Sequence, residues 1–259
     1  MSPSNSDVTS ATDEVKRFKQ DGYTVIRDFL GNNRLNDIKK GINDLISNRL
    51  SEIPREHVFY EDIADARSLK QIQHLDRYTP VLREPFHHGV FKELAEKLLD
   101  QKVVGRNLQY FNKPPSKSLP TPPHQDGYYF KLSPPHALTM WLALDEVNET
   151  NGCVMYLPGS HRLGLREHQK TDTLGFSQGI PRYPSNDEQA MEVAILAKPG
   201  DLLVHHALTI HRAGQNRSKH QNRRALGFIY YGELAVEDHK QAATYQSTLV
   251  DQLRADGRI

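Results

Sequence analysis

The sequence is poor in cysteine and in net charge, and each absence excludes a class of protein. Its single cysteine, Cys153, rules out an intrachain disulfide and a zinc site built from several cysteines. The formal net charge of +1 argues against a nucleic-acid partner held by bulk electrostatics and gives no sign of binding to an anionic membrane. We therefore predict neither a nucleic-acid partner nor a membrane partner.

Long hydrophobic runs are also missing. The apolar stretches fall far short of the roughly 20 residues that a membrane-spanning helix needs. The segment from Met1 to Glu14 is polar and lacks the apolar core of a secretion signal. The last residues, Gly257-Arg258-Ile259, differ from the peroxisomal Ser-Lys-Leu type. These absences predict a protein of the reducing cytoplasm.

The composition is nevertheless that of a folded protein. Hydrophobic residues make up 37% and charged residues 25% of the 259 positions, which allows a sizeable core. This length suits one large domain. Because residues 1–11 are rich in Ser, Thr and Asn, we predict a flexible tail there and a single domain over residues 12–259.

The first part of that domain has the spacing of helices. Ser10 or Thr12 is a suitable cap for a short helix that runs to Gln20, and residues 23–26 then read as a strand.

Two longer helices follow, over about residues 33–50 and around residues 91–99, where apolar side chains recur at helical spacing. We predict that the helices of residues 12–100 pack on a core formed by residues 103–232. A polar helical tail over residues 238–255 is predicted to end the chain.

From residue 103 onward, short apolar runs alternate with Pro, Gly and Asn, a texture typical of an all-β sandwich or barrel. Residues 161–191 have no clear periodicity, and we interpret them as a lid or substrate loop. The predicted strands are Val103–Phe111, Ala137–Leu144, Cys153–Leu157, Val193–Ala197, Leu202–His206 and Arg224–Tyr231.

One pair of residues on this β-rich part has the spacing of metal ligands. His124 and Asp126 lie two positions apart on a segment that Pro122 and Pro123 keep extended, so their side chains point to the same side. A second histidine brought beside them would complete the two-histidine, one-carboxylate triad of non-haem Fe(II). His205, His206 and His211 all qualify, and spacing alone does not choose among them.

A second group suggests an anion site. Arg223 and Arg224 open the last predicted strand, and a buried guanidinium there would suit a ligand carboxylate. The competing interpretation is a surface ion pair. On the strand Ala137–Leu144, alternation predicts that Thr139 and Trp141 face the lumen of the barrel while their neighbours face the core.

In combination and order, these motifs resemble the phytanoyl-CoA dioxygenase family over most of the chain, from about residue 20 to 232. The resemblance implies a double-stranded β-helix (a cupin-like jelly-roll), mainly β with flanking helices, and an Fe(II)- and 2-oxoglutarate-dependent oxygenase that consumes O2. The motifs are Asn112-Lys113-Pro114-Pro115, His124-Gln125-Asp126, Trp141, Pro158-Gly159-Ser160-His161, Gly200-Asp201, His211 with Gly214-Gln215-Asn216, and Arg223-Arg224-Ala225.

The resemblance implies His124, Asp126 and His211 as the iron ligands. It places Arg223 at the position that binds the distal carboxylate of 2-oxoglutarate. The segment between His211 and Arg223 is one residue longer than in many relatives, which leaves Arg224 as a substitute.

Further cosubstrate contacts are implied at Gln109 and Trp141, to which we add Thr139 because it shares the lumen face of its strand with Trp141. Ala213 stands where a serine is common, which removes one hydrogen bond to the cosubstrate. The intact Asp126 favours oxygen transfer over halogenation.

The predicted activity is hydroxylation of a small organic substrate with release of succinate and CO2. The alternatives are a non-catalytic, cupin-like binding protein and a zinc hydrolase that uses the same ligands. Tyr128, Tyr129 and Phe130, with the loop from His168 to Tyr183, are candidates for substrate contact. The sequence does not predict the substrate's identity or the oligomeric state.

Overall fold

The computed structural model describes residues 5–116, 118–171 and 178–255 and is dominated by antiparallel β-sheet. Its helices are α1 (Asn5–Asp21), α2 (Asn32–Asn48), α3 (Pro80–His87), α4 (Val90–Leu99), α5 (Gly127–Phe130), α6 (Asn186–Met191) and α7 (His239–Ala255).

Fifteen strands are found among these residues. They are β1 (Tyr23–Ile26), β2 (Val58–Tyr60), β3 (Leu69–Ile72), β4 (Val103–Lys113), β5 (Thr121–His124), β6 (Leu132–Ser133), β7 (Ala137–Ala143), β8 (Val154–Tyr156), β9 (Gln169–Lys170), β10 (Gln178–Gly179), β11 (Val193–Ile195), β12 (Leu202–His206), β13 (His211–Ala213), β14 (Arg223–Gly232) and β15 (Val236–Glu237).

Two main sheets build the molecule. The larger has seven strands in the order β1-β12-β7-β14-β4-β3-β2, and the smaller has four in the order β11-β8-β13-β5. Trp141 and Ala143 of the large sheet pack in one apolar cluster with Val154 and Tyr156 of the small sheet. The two sheets therefore enclose a common interior, as a jelly-roll requires.

The opposite face of the large sheet is covered by helices. Leu138, Met140 and Leu142 of β7 are buried in one cluster with side chains of α2 and α4. Thr139 and Trp141 face the other way, as the alternation along β7 predicts. Full burial of each Leu or Ile in this layer contributes about 1.5–3 kcal/mol of transfer free energy.

Several elements differ from the sequence prediction. Helix α1 begins at Asn5, so part of the predicted tail, residues 1–11, is helical. The segment from Asn5 to Asp21 contains neither Gly nor Pro, and the helix penalty of Ser and Thr is modest. The flexibility of the tail and the single-domain organisation stay predictions.

Strands β2 and β3 and helix α3 are absent from the sequence prediction. In β3 the polar Lys70 and Gln71 are buried, which hides the strand from a search for apolar alternation. Helix α3 starts with Pro80 and contains Pro85, residues that argue against a helix when read alone.

The predicted lid, residues 161–191, has local structure in its described part. Strands β9 and β10 form a hairpin. A capping box, in which Ser185 and Glu188 bond to each other's backbone, begins α6. Part of the segment, residues 172–177, lies outside the described residues.

No helix of the described part of the chain is long and apolar enough to cross a membrane.

Burial of a histidine on the helix side of β12 makes stability depend on pH. Burial, with the nearby His161, lowers the pKa of His206 from 6.5 to about 4. Between these values the unfolded ring takes up a proton that the folded ring does not. The free energy of unfolding therefore decreases as the pH decreases. We expect His206→Asn to flatten this dependence in urea unfolding measured between pH 6.5 and 4.

The matched control is His220→Asn, since His220 is exposed. It should keep the wild-type slope. Equal slopes for wild type and His206→Asn would contradict the prediction.

Candidate metal centre

The small sheet brings two distant histidines together. His124 ends β5 and His211 begins β13, and the two residues are direct partners in the antiparallel pairing of these strands. Their ring centroids lie 4.1 Å apart. Asp126 follows His124 by two residues, at the start of α5. The pairing of β5 with β13 thus assembles a site from two segments far apart in sequence.

Three side-chain atoms converge at this point. Oδ1 of Asp126 lies 3.4 Å from Nε2 of His124 and 3.8 Å from Nε2 of His211. One ligand atom from each of the three side chains lies within 4.8 Å of the others, a separation that one metal ion can bridge.

Backbone carbonyls fix the tautomer of both rings. Nδ1 of His124 lies 2.8 Å from the carbonyl oxygen of Pro122, and Nδ1 of His211 lies 3.0 Å from that of Thr209. Because a carbonyl oxygen only accepts, each ring must donate from Nδ1. The lone pairs on Nε2 are then directed toward Asp126.

The protonation states suit a divalent cation. Burial, aided by His124 and His205, lowers the pKa of His211 well below its ordinary value, so the ring is neutral at pH 7. Burial opposes ionisation of Asp126. The neighbouring imidazoles of His124 and His205 outweigh that effect, and the pKa of the carboxyl lies well below its usual value. Two imidazoles and one carboxylate on one side fit Fe(II) and leave other positions open.

The three candidate histidines of the second segment have different surroundings. His205 faces the site, with Nε2 3.1 Å from Oδ2 of Asp126. His206 faces the helix layer and packs near Phe18. Only His211, with His124 and Asp126, belongs to the convergent group among the described residues. This agrees with the choice that the family resemblance made.

The two arginines of β14 also differ. Arg224 forms a two-point ion pair with Asp145, at 2.9 and 2.8 Å. Arg223 is buried, and its Nε has no hydrogen-bond partner among the described residues. Burial lowers the pKa of Arg223 to about 10. Within the described part of the chain, Arg223 and not Arg224 is therefore the guanidinium without an ion-pair partner.

The other residues predicted to contact the cosubstrate have mixed placements. The ring of Trp141 lies under the guanidinium of Arg223, 5.1 Å from its Cζ. Gln109 is buried and accepts a hydrogen bond from Gln71 at 2.6 Å. Thr139 donates to Oδ2 of Asp126 at 2.5 Å, and its contact with the cosubstrate stays a prediction.

Sequence reasoning missed two buried polar residues in this region. Lys113 lies opposite Arg223 in the β4–β14 pairing and donates to the carbonyl oxygen of Leu119. Burial, with the neighbouring Arg223, lowers the pKa of the Lys113 ammonium well below its usual value. Gln71 has a buried Oε1 without a partner among the described residues. Lys113 lies in a quoted motif, whereas Gln71 lies in the unpredicted β3.

The three aromatic residues after Asp126 are placed in three ways. Tyr129 lies edge-on to His124, with ring centroids 6.0 Å apart, and its hydroxyl donates to the carbonyl of Gln178. Tyr128 stacks on His168 at 4.3 Å. Phe130 is buried in a small apolar cluster, and its contact with substrate stays a prediction.

Gln125, between the two ligands of the His-x-Asp motif, ties the predicted lid to the site. Its side chain donates to the carbonyl oxygens of Gly164 and Leu208 and accepts from the backbone of Arg166. Its backbone N–H donates to Nε2 of His168 at 3.0 Å. Residues 164–168 are thus bonded directly to the segment that carries His124 and Asp126.

Comparison with known proteins supports the family resemblance. The model of the phytanoyl-CoA dioxygenase family matches residues 18–225. A probable phytanoyl-CoA dioxygenase of Caenorhabditis elegans is 25% identical over 259 residues, covering 93% of this chain and 81% of the relative. A probable alpha-ketoglutarate-dependent hypophosphite dioxygenase of Stutzerimonas stutzeri is 32% identical over 154 residues, covering 55% of this chain and 51% of the relative.

Solved structures share the fold at lower identity. The epimerase SnoN, in complex with Fe3+, alpha ketoglutarate and nogalamycin RO, superposes with a TM-score of 0.71 at 24% identity, covering 89% of this chain and 87% of SnoN. EctD from S. alaskensis, with 2-oxoglutarate and 5-hydroxyectoine, gives a TM-score of 0.68 at 19% identity, covering 85% of this chain and 75% of EctD. The jelly-roll prediction is thereby confirmed.

The family match spans most of the chain, and the His-Asp-His group lies within the matched residues. The predicted activity class, an Fe(II)- and 2-oxoglutarate-dependent dioxygenase, is confirmed at the level of the family. The chain belongs to the phytanoyl-CoA dioxygenase family.

Proposed function

We propose that this chain hydroxylates a small organic molecule with iron held by His124, Asp126 and His211 and with 2-oxoglutarate held by Arg223. One observation carries the proposal. Two imidazoles with a carboxylate, and a buried guanidinium that has no ion-pair partner among the described residues, belong to the same jelly-roll. A metal ion would bind the first group, and a dianionic oxoacid would pair with the guanidinium.

The protein's own residues bind and orient. His124 and His211 offer Nε2 and Asp126 offers Oδ1, all from one side, which leaves the opposite side for cosubstrate and O2. When bound, Fe(II) and 2-oxoglutarate supply the oxidation, in which one oxygen atom of O2 enters succinate, CO2 leaves, and the second oxygen atom enters a C–H bond of the substrate. No side chain is needed as a general base.

Arg223 matches the distal carboxylate of 2-oxoglutarate. Its burial makes an unpaired charge costly, and a carboxylate that pairs with the planar guanidinium offsets that cost. Trp141 fixes the guanidinium plane from one face. Arg224 is already paired with Asp145, which supports assigning the role to Arg223.

The substrate is proposed to approach on the side of Tyr129 and of the loop anchored by Gln125. Tyr129 contacts the ring of His124 and also the ring of Tyr245 in α7. Relatives carry the names of phytanoyl-CoA and hypophosphite dioxygenases. This range supports a small-molecule substrate and leaves its class open. A cytoplasmic location stays a prediction.

We expect the metal proposal to be visible in stability. A divalent metal at 100 times its dissociation constant should raise the free energy of unfolding of the wild type by about 2.7 kcal/mol. His124→Ala should lose this gain, and its succinate formation with Fe(II) and 2-oxoglutarate should fall to background. The control His220→Ala should behave as wild type. Stabilisation of His124→Ala equal to that of wild type would refute the ligand assignment.

The two arginines provide a matched pair for 2-oxoglutarate binding. Losing one partner of a buried charge pair costs about 2 kcal/mol or more, so Arg223→Gln should weaken 2-oxoglutarate binding at least about 30-fold. Its metal-free stability should not fall, because an uncompensated buried charge is removed. Arg224→Gln should show the reverse pattern, with lower stability and unchanged 2-oxoglutarate affinity.

Anaerobic titration of the Fe(II)-loaded variants, followed by the visible charge-transfer band, measures this affinity. Full turnover by Arg223→Gln would favour a zinc hydrolase, which does not need the cosubstrate clamp. Absence of the band in wild type, with no succinate above background, would favour a non-catalytic binding protein.

Tyr129 is expected to affect substrate choice more than metal binding. Tyr129→Leu removes the hydroxyl bond to Gln178 and reshapes the space beside His124. In a screen of organic molecules for stimulated succinate formation, its profile should change by about tenfold or more for some compounds, equivalent to about 1.4 kcal/mol. Metal affinity should stay within a few-fold of wild type. An unchanged profile with weakened metal binding would contradict this role.

A further inference from the structure

His205 contacts the candidate metal ligand Asp126, and no role has yet been assigned to it. It is 3% exposed and occupies β12, directly opposite Thr139 of β7. Both side chains reach the same atom, Oδ2 of Asp126, at 3.1 Å from Nε2 of His205 and 2.5 Å from Oγ1 of Thr139. A buried polar ring at this position is costly unless it is fully hydrogen-bonded.

The bonding around His205 has one consistent direction. An ionised carboxylate only accepts, so Nε2 of His205 must carry the proton and donate to Asp126. In the tautomer that carries this proton, Nδ1 is an acceptor. The hydroxyl of Tyr156 lies 2.9 Å from Nδ1 and donates to it. Tyr156 is fully buried and stacks on Tyr23, with ring centroids 4.6 Å apart.

This chain of bonds joins the two sheets. Tyr156 belongs to β8 of the small sheet, next to His211, while His205 belongs to β12 of the large sheet. Asp126 lies in neither sheet and depends on its hydrogen bonds for its orientation. Tyr156 and His205 therefore link the carboxylate of Asp126 to both walls of the jelly-roll.

Occupation of Oδ2 has a consequence for the metal. With Thr139 and His205 both donating to Oδ2, only Oδ1 remains directed at His124 and His211. A carboxylate that ligates through both oxygens would take up one more coordination position. Holding Oδ2 in a hydrogen bond keeps that position for cosubstrate or O2.

We propose that His205, backed by Tyr156, is a positioning residue that makes Asp126 a one-oxygen ligand of the metal. The inference rests on the proposed function, because it presupposes a metal on His124, Asp126 and His211. His205 itself is not a ligand, since its Nε2 is used by Asp126.

The test compares His205→Leu with His205→Gln. Gln can donate from Nε2 to Asp126 and accept from Tyr156 through Oε1, whereas Leu can do neither. The probe is Co(II), whose dissociation constant is measured by calorimetry and whose ligand-field absorption reports the coordination geometry. Loss of a hydrogen-bond partner of a metal ligand typically weakens binding about 10- to 100-fold.

We expect His205→Leu to bind Co(II) about 10- to 100-fold more weakly, with a changed absorption spectrum. His205→Gln should restore both. The control His206→Leu, which alters the other face of the same strand, should keep the wild-type spectrum even where it lowers stability. Tyr156→Phe should weaken Co(II) binding less than His205→Leu does, and it decides the question if His205→Leu does not fold.

Two outcomes would overturn the inference while the proposed function stands. One is wild-type Co(II) affinity and spectrum in His205→Leu, or in Tyr156→Phe if His205→Leu does not fold. The other is pulsed electron paramagnetic resonance of the Cu(II) form showing three imidazole ligands in wild type and two in His205→Gln. A wild-type protein that binds no Co(II) would instead overturn the proposed function and the inference together.

Discussion

The antiparallel pairing of β5 with β13 is the constraint on which the rest of the site depends. It sets His124 opposite His211 and brings their rings to 4.1 Å between centroids. Each ring is oriented by a carbonyl two residues earlier in the chain. The backbone that leads into each histidine therefore also selects its tautomer. The lone pairs that would bind a metal are already oriented, so binding would cost little conformational entropy of these side chains.

The interior between the sheets also holds a buried positive charge. Arg223 is buried against Trp141, opposite a buried Lys113, and has no ion pair with a described residue. A protein selected for stability alone would replace such a group with an apolar side chain. The presence of Arg223 is explained if its buried charge lowers stability but provides affinity for an anion. In the proposed function, one bound oxoacid would contact the metal and the guanidinium at once.

Sequence reasoning predicted the parts of this site that depend on local geometry. Alternation along β7 correctly placed Thr139 and Trp141 inside and Leu138, Met140 and Leu142 under the helices. It could not choose among His205, His206 and His211, because that choice depends on which strand pairs with β5. It did not predict β3, because the buried side chains of this strand include polar ones, which interrupt the apolar alternation. Thr139 was placed on the correct face, but its bond to Asp126 could not be predicted, since Asp126 comes from another segment.

The bonds of Gln125 have a consequence for how such enzymes diversify. The residue between the two ligands of the His-x-Asp motif holds Gly164, Arg166 and, through its backbone, His168. The segment predicted to be a lid is thus bonded to the segment that carries the candidate metal ligands His124 and Asp126. Grafting a foreign loop to acquire a new specificity would preserve catalysis only if these anchor points were transplanted with it.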